Sequence, residues 1–449
     1  MTANATATDG RPHVVILGGG FAGLYAAKEL RKAPVRITLV DRRNHHLFQP
    51  MLYQVATAAL SPGDIASPIR SVLRKQRNVE VILGDATSID ADARTVTLAD
   101  GAALHYDYLL VATGAHFSYF GHDGWEQYAP GLKSIEDALE IRRRALLAFE
   151  EAERESDPRK QQQLLTFVIV GGGPTGVEVA GALAEVRNFA LRRDFRHINP
   201  RSATVMLIEA GPRILATYPE ELSEKAVTTL RSLGVEVRTS TMVTDVRPDC
   251  VKAGNWTIPT RTVVWAAGNV ASPIVKSIGC KLDRQGRAVV EPDCTVPGHR
   301  ELFVLGDAAA FRQEDGSTVP GVCPAAIQMG QYAARTIRAE VGRKDAPARK
   351  PFRYWDKGQL AVIGRGHAVA DIGKFHFSGI LAWLAWVFVH IFFLIGFRNR
   401  VIVLTEWAFA YLTYQRGARL ITGETAEYSI PAGSKLPAVD QQPVSAGRA

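Results

Sequence analysis

Short apolar runs rich in β-branched residues recur along the chain, and two of them end in the same glycine cluster. HVVIL leads into GGGFAGLYAA, with Gly18, Gly20 and Gly23; TFVIV leads into GGGPTGVEVAG, with Gly171, Gly173 and Gly176, about 150 residues later. Each run reads as a buried strand and each cluster opens a pattern of helical period, the strand–turn–helix context of a dinucleotide-binding loop. The first glycine permits the tight turn, the second lets backbone approach a pyrophosphate, and the third lets helix and strand pack closely. Phosphates would sit at the helix N-terminus, where free N–H groups and the dipole favour negative charge. Two copies predict two dinucleotides in one molecule, a flavin and a nicotinamide cofactor.

The next strand in each unit ends in an acid. VRITLV runs into Asp41 and TVMLI into Glu209, each placed to grip a ribose hydroxyl. A carboxylate at the second site repels a 2′-phosphate, which predicts NADH over NADPH; Arg213, four residues on, could soften that preference. The gap before Glu209 is long, and the excess, NFALRRDFRHINPRSA, reads as an extended helix and loop. VATGA (Val111 to Ala115) and WAAGN (Trp265 to Asn269) close two further apolar runs with small-residue turns. In ELFVLGDAAAF, Asp307 can meet the ribityl hydroxyls of a flavin or cap a helix.

The remaining pattern is less regular. Residues 44–70 form a long polar, aromatic and proline-punctuated loop, of the kind that is more often functional than idle. Residues 136–163 begin as a helix pattern and degrade into a charged bridge, and residues 321–341 read as a helix. From Phe375 to Phe397 there is no Asp, Glu, Lys or Arg, a run of 23 residues long enough to span a bilayer core by length alone. The segment after it, with Trp407, Tyr411, Tyr414, Arg416 and Arg419, looks amphipathic, so helices lying flat in the interface are favoured over a spanning one. A buried helix in a dimer core is the competing reading of the apolar run.

Length and charge narrow the classes. A chain of 449 residues predicts two or three domains. The net charge of +8 comes without a basic–aromatic tract, which speaks against nucleic acid and suits an anionic membrane surface. Cys250, Cys280, Cys294 and Cys323 form no C-x-x-C, so disulfide reduction by a paired thiol is not indicated; Cys250, Cys280 and Cys294 read as surface strand or loop. No metal site is expected. The polar N-terminus and the Pro/Ala/Ser-rich tail from Pro431 read as disordered.

DRRNHHLFQPMLYQVATAALSPGDIASPIR resembles the loop after the second strand in bacterial type II NADH dehydrogenases, single-subunit NADH:quinone oxidoreductases that do not pump protons. GGGPTGVEVAGALAE, GDAAA, PGVCPAAIQMGQYAA and GILAWLAWVFVHIFFLIGFRNR resemble the same family, so the likeness runs from residue 12 to about 425. It implies an FAD-binding domain in two parts (12–163 and 271–373), an NADH-binding domain (164–270) and C-terminal amphipathic helices (374–425) resting on the cytoplasmic face of the inner membrane, with tails at 1–11 and 426–449. Carried over by motif, Gly18, Gly20, Gly23, Asp41, Thr113, Gly114 and Asp307 would hold FAD, with Gln49 and Pro50 near its ring. Gly171, Gly173, Gly176, Glu209 and Gly268 would hold NADH. Glu178 would lie close to the nicotinamide, as a proton relay or as a bond to the flavin edge, and Gln328 would face the quinone. A membrane quinone, the bilayer surface and a second copy of the chain are the expected partners.

The chain departs from the family where many members carry further glutamines around Gln328; here Pro324 and Met329 stand in those places. Two other readings compete. A sulfide:quinone oxidoreductase needs paired redox cysteines. A non-catalytic NADH-sensing protein would use the apolar C-terminus for docking.

Overall fold

Both glycine-led patterns fold into parallel sheets in a computed structural model that describes residues 10–341, 348–413 and 415–423. The chain divides into two units. The first takes the chain up to Leu47, Ala66–His116 and Asn269–Lys357; the second takes Phe48–Ile65, Phe117–Gly268 and the chain from Gly358 on. The expected disordered tails lie almost wholly outside the described residues.

In the first unit the sheet order is Val79–Leu83, Arg36–Asp41, His13–Leu17, Tyr108–Val111, His299–Val304 and Thr295–Val296, parallel except for the last edge strand. His13–Leu17 is buried along its whole length, as a parallel strand covered on both faces must be. Helix Phe21–Glu29 crosses helix Cys323–Glu340 so closely that a side chain at Gly330 would strike the Ala22 carbonyl. The helix expected over 321–341 is therefore present, and its small residues are what bring it against the first glycine-loop helix.

The second unit repeats the scheme. Its sheet order is Val235–Arg238, Thr204–Ile208, Thr166–Val170 and Thr262–Trp265, all parallel. In both units the strand before the glycines lies between the strand that leads to the acid and the strand that leads to the second small-residue turn. Each unit also carries a three-stranded antiparallel sheet, Ala86–Asp90 with Thr95–Leu98 and Ala103–His105 in one, Val243–Val246 with Cys250–Ala253 and Trp256–Pro259 in the other.

Several local expectations are corrected. Helix Ile135–Arg154 starts on a Ser134–Asp137 capping box, but the charged bridge after it holds another helix, Pro158–Leu164, whose N–H at Arg159 is capped by Asp157. The long insertion before Glu209, read as an extended helix and loop, does prolong helix Pro174–Glu185, by one turn of π-helix, Val186–Ala190. Cys250 and Cys294 are buried rather than superficial.

The 23-residue apolar run does not form one helix. Phe375–Gly379 is the edge strand of a sheet with Gln359–Gly364 and His367–Ile372, and a helix occupies only Ile380–Phe393. Arg400 donates to the Phe392 and Leu394 carbonyls and ends that helix; Gly396, at φ 96°, turns the chain into a second helix, Phe397–Thr413. Among the described residues no helix is long and apolar enough to cross a membrane.

Candidate functional site

The two glycine loops show the same division of labour. Gly18 and Gly171 sit at φ 100° and 108°, and a side chain on either would collide with backbone of the neighbouring strand's turn, at Ala112 and Ala266. A side chain on Gly23 or Gly176 would strike the carbonyl of that first glycine. At Gly20 and Gly173 the opposite holds: no atom lies within 4 Å of the place a Cβ would take. The protein itself does not require glycine there, but a pyrophosphate drawn close to the backbone would. Helices Phe21–Glu29 and Pro174–Glu185 start from these glycines with no side-chain cap, leaving their first N–H groups for an anion.

Asp41 and Glu209 act first on the loops. Asp41 accepts from Gly19 N (2.5 Å) and Arg43 N (2.7 Å); Glu209 accepts from Gly172 N and Gly211 N (both 2.6 Å). Each carboxylate has lone pairs left for a ribose hydroxyl. Arg213 donates to the Tyr218 and Ala216 carbonyls, so its guanidinium is committed to its own turn rather than to a 2′-phosphate. In the first unit Thr113 has a buried, unpartnered hydroxyl oxygen, Gly114 turns at φ 68° in open space, and Asp307 has no hydrogen-bond or ion-pair partner among the described residues. The Thr113 hydroxyl and the Asp307 carboxylate are the polar groups that a flavin nucleotide would complete, with open space beside Gly114. Gly268 needs its φ of 70°, and a side chain there would meet the Phe120 ring.

Glu178 lies one turn into the second glycine-loop helix. With Ala182 and Glu185 it forms a stripe that faces strand Gln359–Gly364, against which the helix comes so close that Gly181 admits no side chain beside the Ile363 carbonyl. A pocket of the second unit opens along this stripe. Its walls include Glu178, Glu185, Tyr53, Gln54, Trp386, Trp407 and Arg416. Burial pushes Glu178 up to about 8, offset only in part by a long 3.5 Å bond from Val362 N. Glu185 accepts from Arg365 N and from the Arg416 guanidinium (2.9 Å), while Arg416 also donates to the Thr57 carbonyl. His390 stacks on Trp386 and bonds its carbonyl; burial lowers it to about 4, so it is a neutral packing group.

Gln49 and Gln328 make backbone contacts of their own. Gln49 is exposed in the second unit, its amide on the Lys133 carbonyl, with Pro50 beside it in a short 3-10 turn. Gln328, in the first unit, exchanges two bonds with the Trp355 backbone, donating to its carbonyl and accepting from its N–H. Met329 is buried and Pro324 begins the helix.

Comparisons with known proteins agree with this picture. A family described as pyridine nucleotide-disulphide oxidoreductase matches residues 12–330, and one described as NDH2 C-terminal domain matches 356–414. The Mycobacterium tuberculosis protein named type II NADH:quinone oxidoreductase Ndh is 46% identical over 428 residues, covering 93% of this chain and 91% of the relative. The chain belongs to the type II NADH:quinone oxidoreductase family. A more distant relative is the external alternative NADH-ubiquinone oxidoreductase of Yarrowia lipolytica, 29% identical over 88% of this chain and 78% of that one. In fold, NDH2 of Plasmodium falciparum, solved with NADH, superposes with a TM-score of 0.83 at 19% identity, covering 91% of this chain and 99% of that one. The sulfide:quinone oxidoreductase of Aquifex aeolicus shares the fold less closely, at a TM-score of 0.70 and 22% identity over 87% of this chain and 92% of its own. All four cysteines here are free.

The sequence pointed to Glu178 but not to its surroundings. Tyr53 and Gln54 sit in the long loop the sequence marked as functional, in LYQVATAAL, and could have been read with it. The pairing of Glu185 with Arg416 carried no local signal, because the two lie 231 residues apart.

Proposed function

We propose that this chain oxidises NADH through bound FAD and passes two electrons to a quinone held in the Glu178 pocket, at a membrane surface and without pumping protons. FAD, when bound, would supply the two-electron chemistry that links NADH oxidation to quinone reduction. The chain's own work is positioning and proton supply. The Gly171–Gly176 loop and Glu209 hold the NADH pyrophosphate and ribose; the first loop, Asp41, Thr113 and Asp307 hold FAD.

The observation that carries the reading is Glu178. A quinone taking two electrons also takes two protons. A carboxyl raised to about 8 keeps its proton at neutral pH yet can release it. It stands in an aromatic pocket suited to a flat ring, on the helix whose N-terminus carries the NADH loop. Glu178 delivers a proton to the quinone oxygen and is reloaded from solvent.

Access from lipid rests on helix Ile380–Phe393. Ala382 and Trp386 are buried, while Leu381, Leu384, Phe388 and Phe392 form an exposed stripe. Phe397 and Leu412 in the next helix are 83% and 82% exposed. An exposed apolar patch of this extent favours a bilayer surface, and the cytoplasmic face is where NADH is available.

The test is Glu178→Gln, read by rapid mixing. The variant should bleach with NADH at the wild-type rate but be reoxidised by quinone at least tenfold more slowly. Equal reoxidation rates in both proteins would remove Glu178 from the reaction.

A further inference from the structure

The pocket contains a hydrogen-bond chain whose direction is fixed at one end. Trp407 Nε1 lies 2.7 Å from Gln54 Oε1, and Gln54 Nε2 lies 2.9 Å from the Tyr53 hydroxyl. An indole N–H can only donate, so the Gln54 atom that faces it must be the carbonyl oxygen. The Gln54 NH₂ therefore faces Tyr53, and the Tyr53 oxygen must accept. The hydroxyl hydrogen is left over.

Nothing among the described residues takes that hydrogen. Glu185 accepts from Arg365 N and Arg416, and Glu178 from Val362 N, but neither carboxyl is bonded to the Tyr53 hydroxyl. Tyr53 is buried, lines the same pocket as Glu178, and holds its ring against Trp386 at 6.5 Å. Three residues from two distant stretches of chain thus orient one donor toward a space that offers it no protein acceptor.

We infer that Tyr53 donates a hydrogen bond to a carbonyl oxygen of the quinone, with Gln54 and Trp407 as positioning residues. This rests on the reading that the pocket holds the quinone. No proton leaves Tyr53: burial pushes its hydroxyl well above the ordinary tyrosine range, so it remains a neutral donor while Glu178 supplies the proton. The bond polarises the carbonyl and seats the ring. It also restricts the acceptor to molecules that carry a ring carbonyl; a small outer-sphere oxidant such as ferricyanide does not need it.

The experiment compares FAD-loaded full-length protein with Tyr53→Phe, which keeps the ring. Equilibrium dialysis of menadione against the oxidised proteins should show affinity falling roughly tenfold or more, the loss expected when a buried acceptor is left without its donor. Reoxidation by menadione should slow likewise, while bleaching by NADH and reduction of ferricyanide stay at wild-type rates. Trp407→Phe should weaken menadione binding in the same direction, by less, and add nothing in the Tyr53→Phe background. If Tyr53→Phe fails to hold FAD, Trp407→Phe and Gln54→Leu carry the same test. Unchanged menadione affinity in the variants overturns the inference and leaves the pocket reading standing. A wild-type protein that bleaches with NADH but neither binds nor reduces menadione overturns both.

Discussion

A carboxyl with a raised pKa has consequences at two levels. Glu178 holds its proton up to about pH 8 and loses it as the pH climbs through that value. Quinone reduction should therefore decline above about pH 8 in the wild type, and the Glu178→Gln profile should be slow and flat across that range. The effect on stability follows from linkage. The unfolded carboxyl ionises near 4.5, so between 4.5 and about 8 the folded chain binds the extra proton and stability drops as the pH rises. Glu178→Gln should gain melting temperature over wild type at pH 8 and show no gain below pH 4.5. At the same scale, Gly20→Val should fold normally, because the space beside Gly20 is open and its φ of −70° suits any residue, yet the purified protein should lack its yellow colour. A full complement of FAD in that variant would contradict the first loop's assignment. Glycines, Asp41 and Glu209 were legible in the sequence because their constraints are local: a turn and the strand beside it. Tyr53 lies in a loop the sequence marked, but its role as a donor was not legible, since the direction of its hydroxyl depends on Trp407, 353 residues beyond Gln54.

Among elements, the C-terminal helices were the least predictable. The absence of charge from Phe375 to Phe397 is true of a spanning helix, but strand pairing through Phe375–Gly379 and the Arg400 cap divide the run. A hydropathy pattern records which residues avoid water, not where backbone hydrogen bonds change partners. The outer stripe of Ile380–Phe393 remains apolar, and its members are exposed, so charges can be placed there without disturbing the core. Leu381→Glu with Phe388→Glu should leave folding and bleaching by NADH intact and reduce binding to anionic phospholipid vesicles roughly tenfold or more, as loss of two apolar anchors would. Vesicle binding equal to wild type would show that this stripe is not the membrane face.

For the whole molecule, the repeated strand order explains why the sequence disclosed so much of the fold. Two copies of one scheme, each with the glycine strand between the acid strand and the small-residue turn, specify two nucleotide sites. The Glu178 pocket has no such repeat. Residues 53–59, 178–189, 362–365 and 383–411 meet with Arg416 to form it, and no single segment reveals the others. The central claim is that electrons entering at the NADH loop leave through that pocket to a quinone. The most direct measurement is anaerobic absorbance of the purified, FAD-loaded protein through one cycle. One equivalent of NADH should bleach the visible flavin band, and one equivalent of menadione should then restore it. A band that NADH leaves untouched, or that bleaches but is not restored by the quinone, would contradict the account.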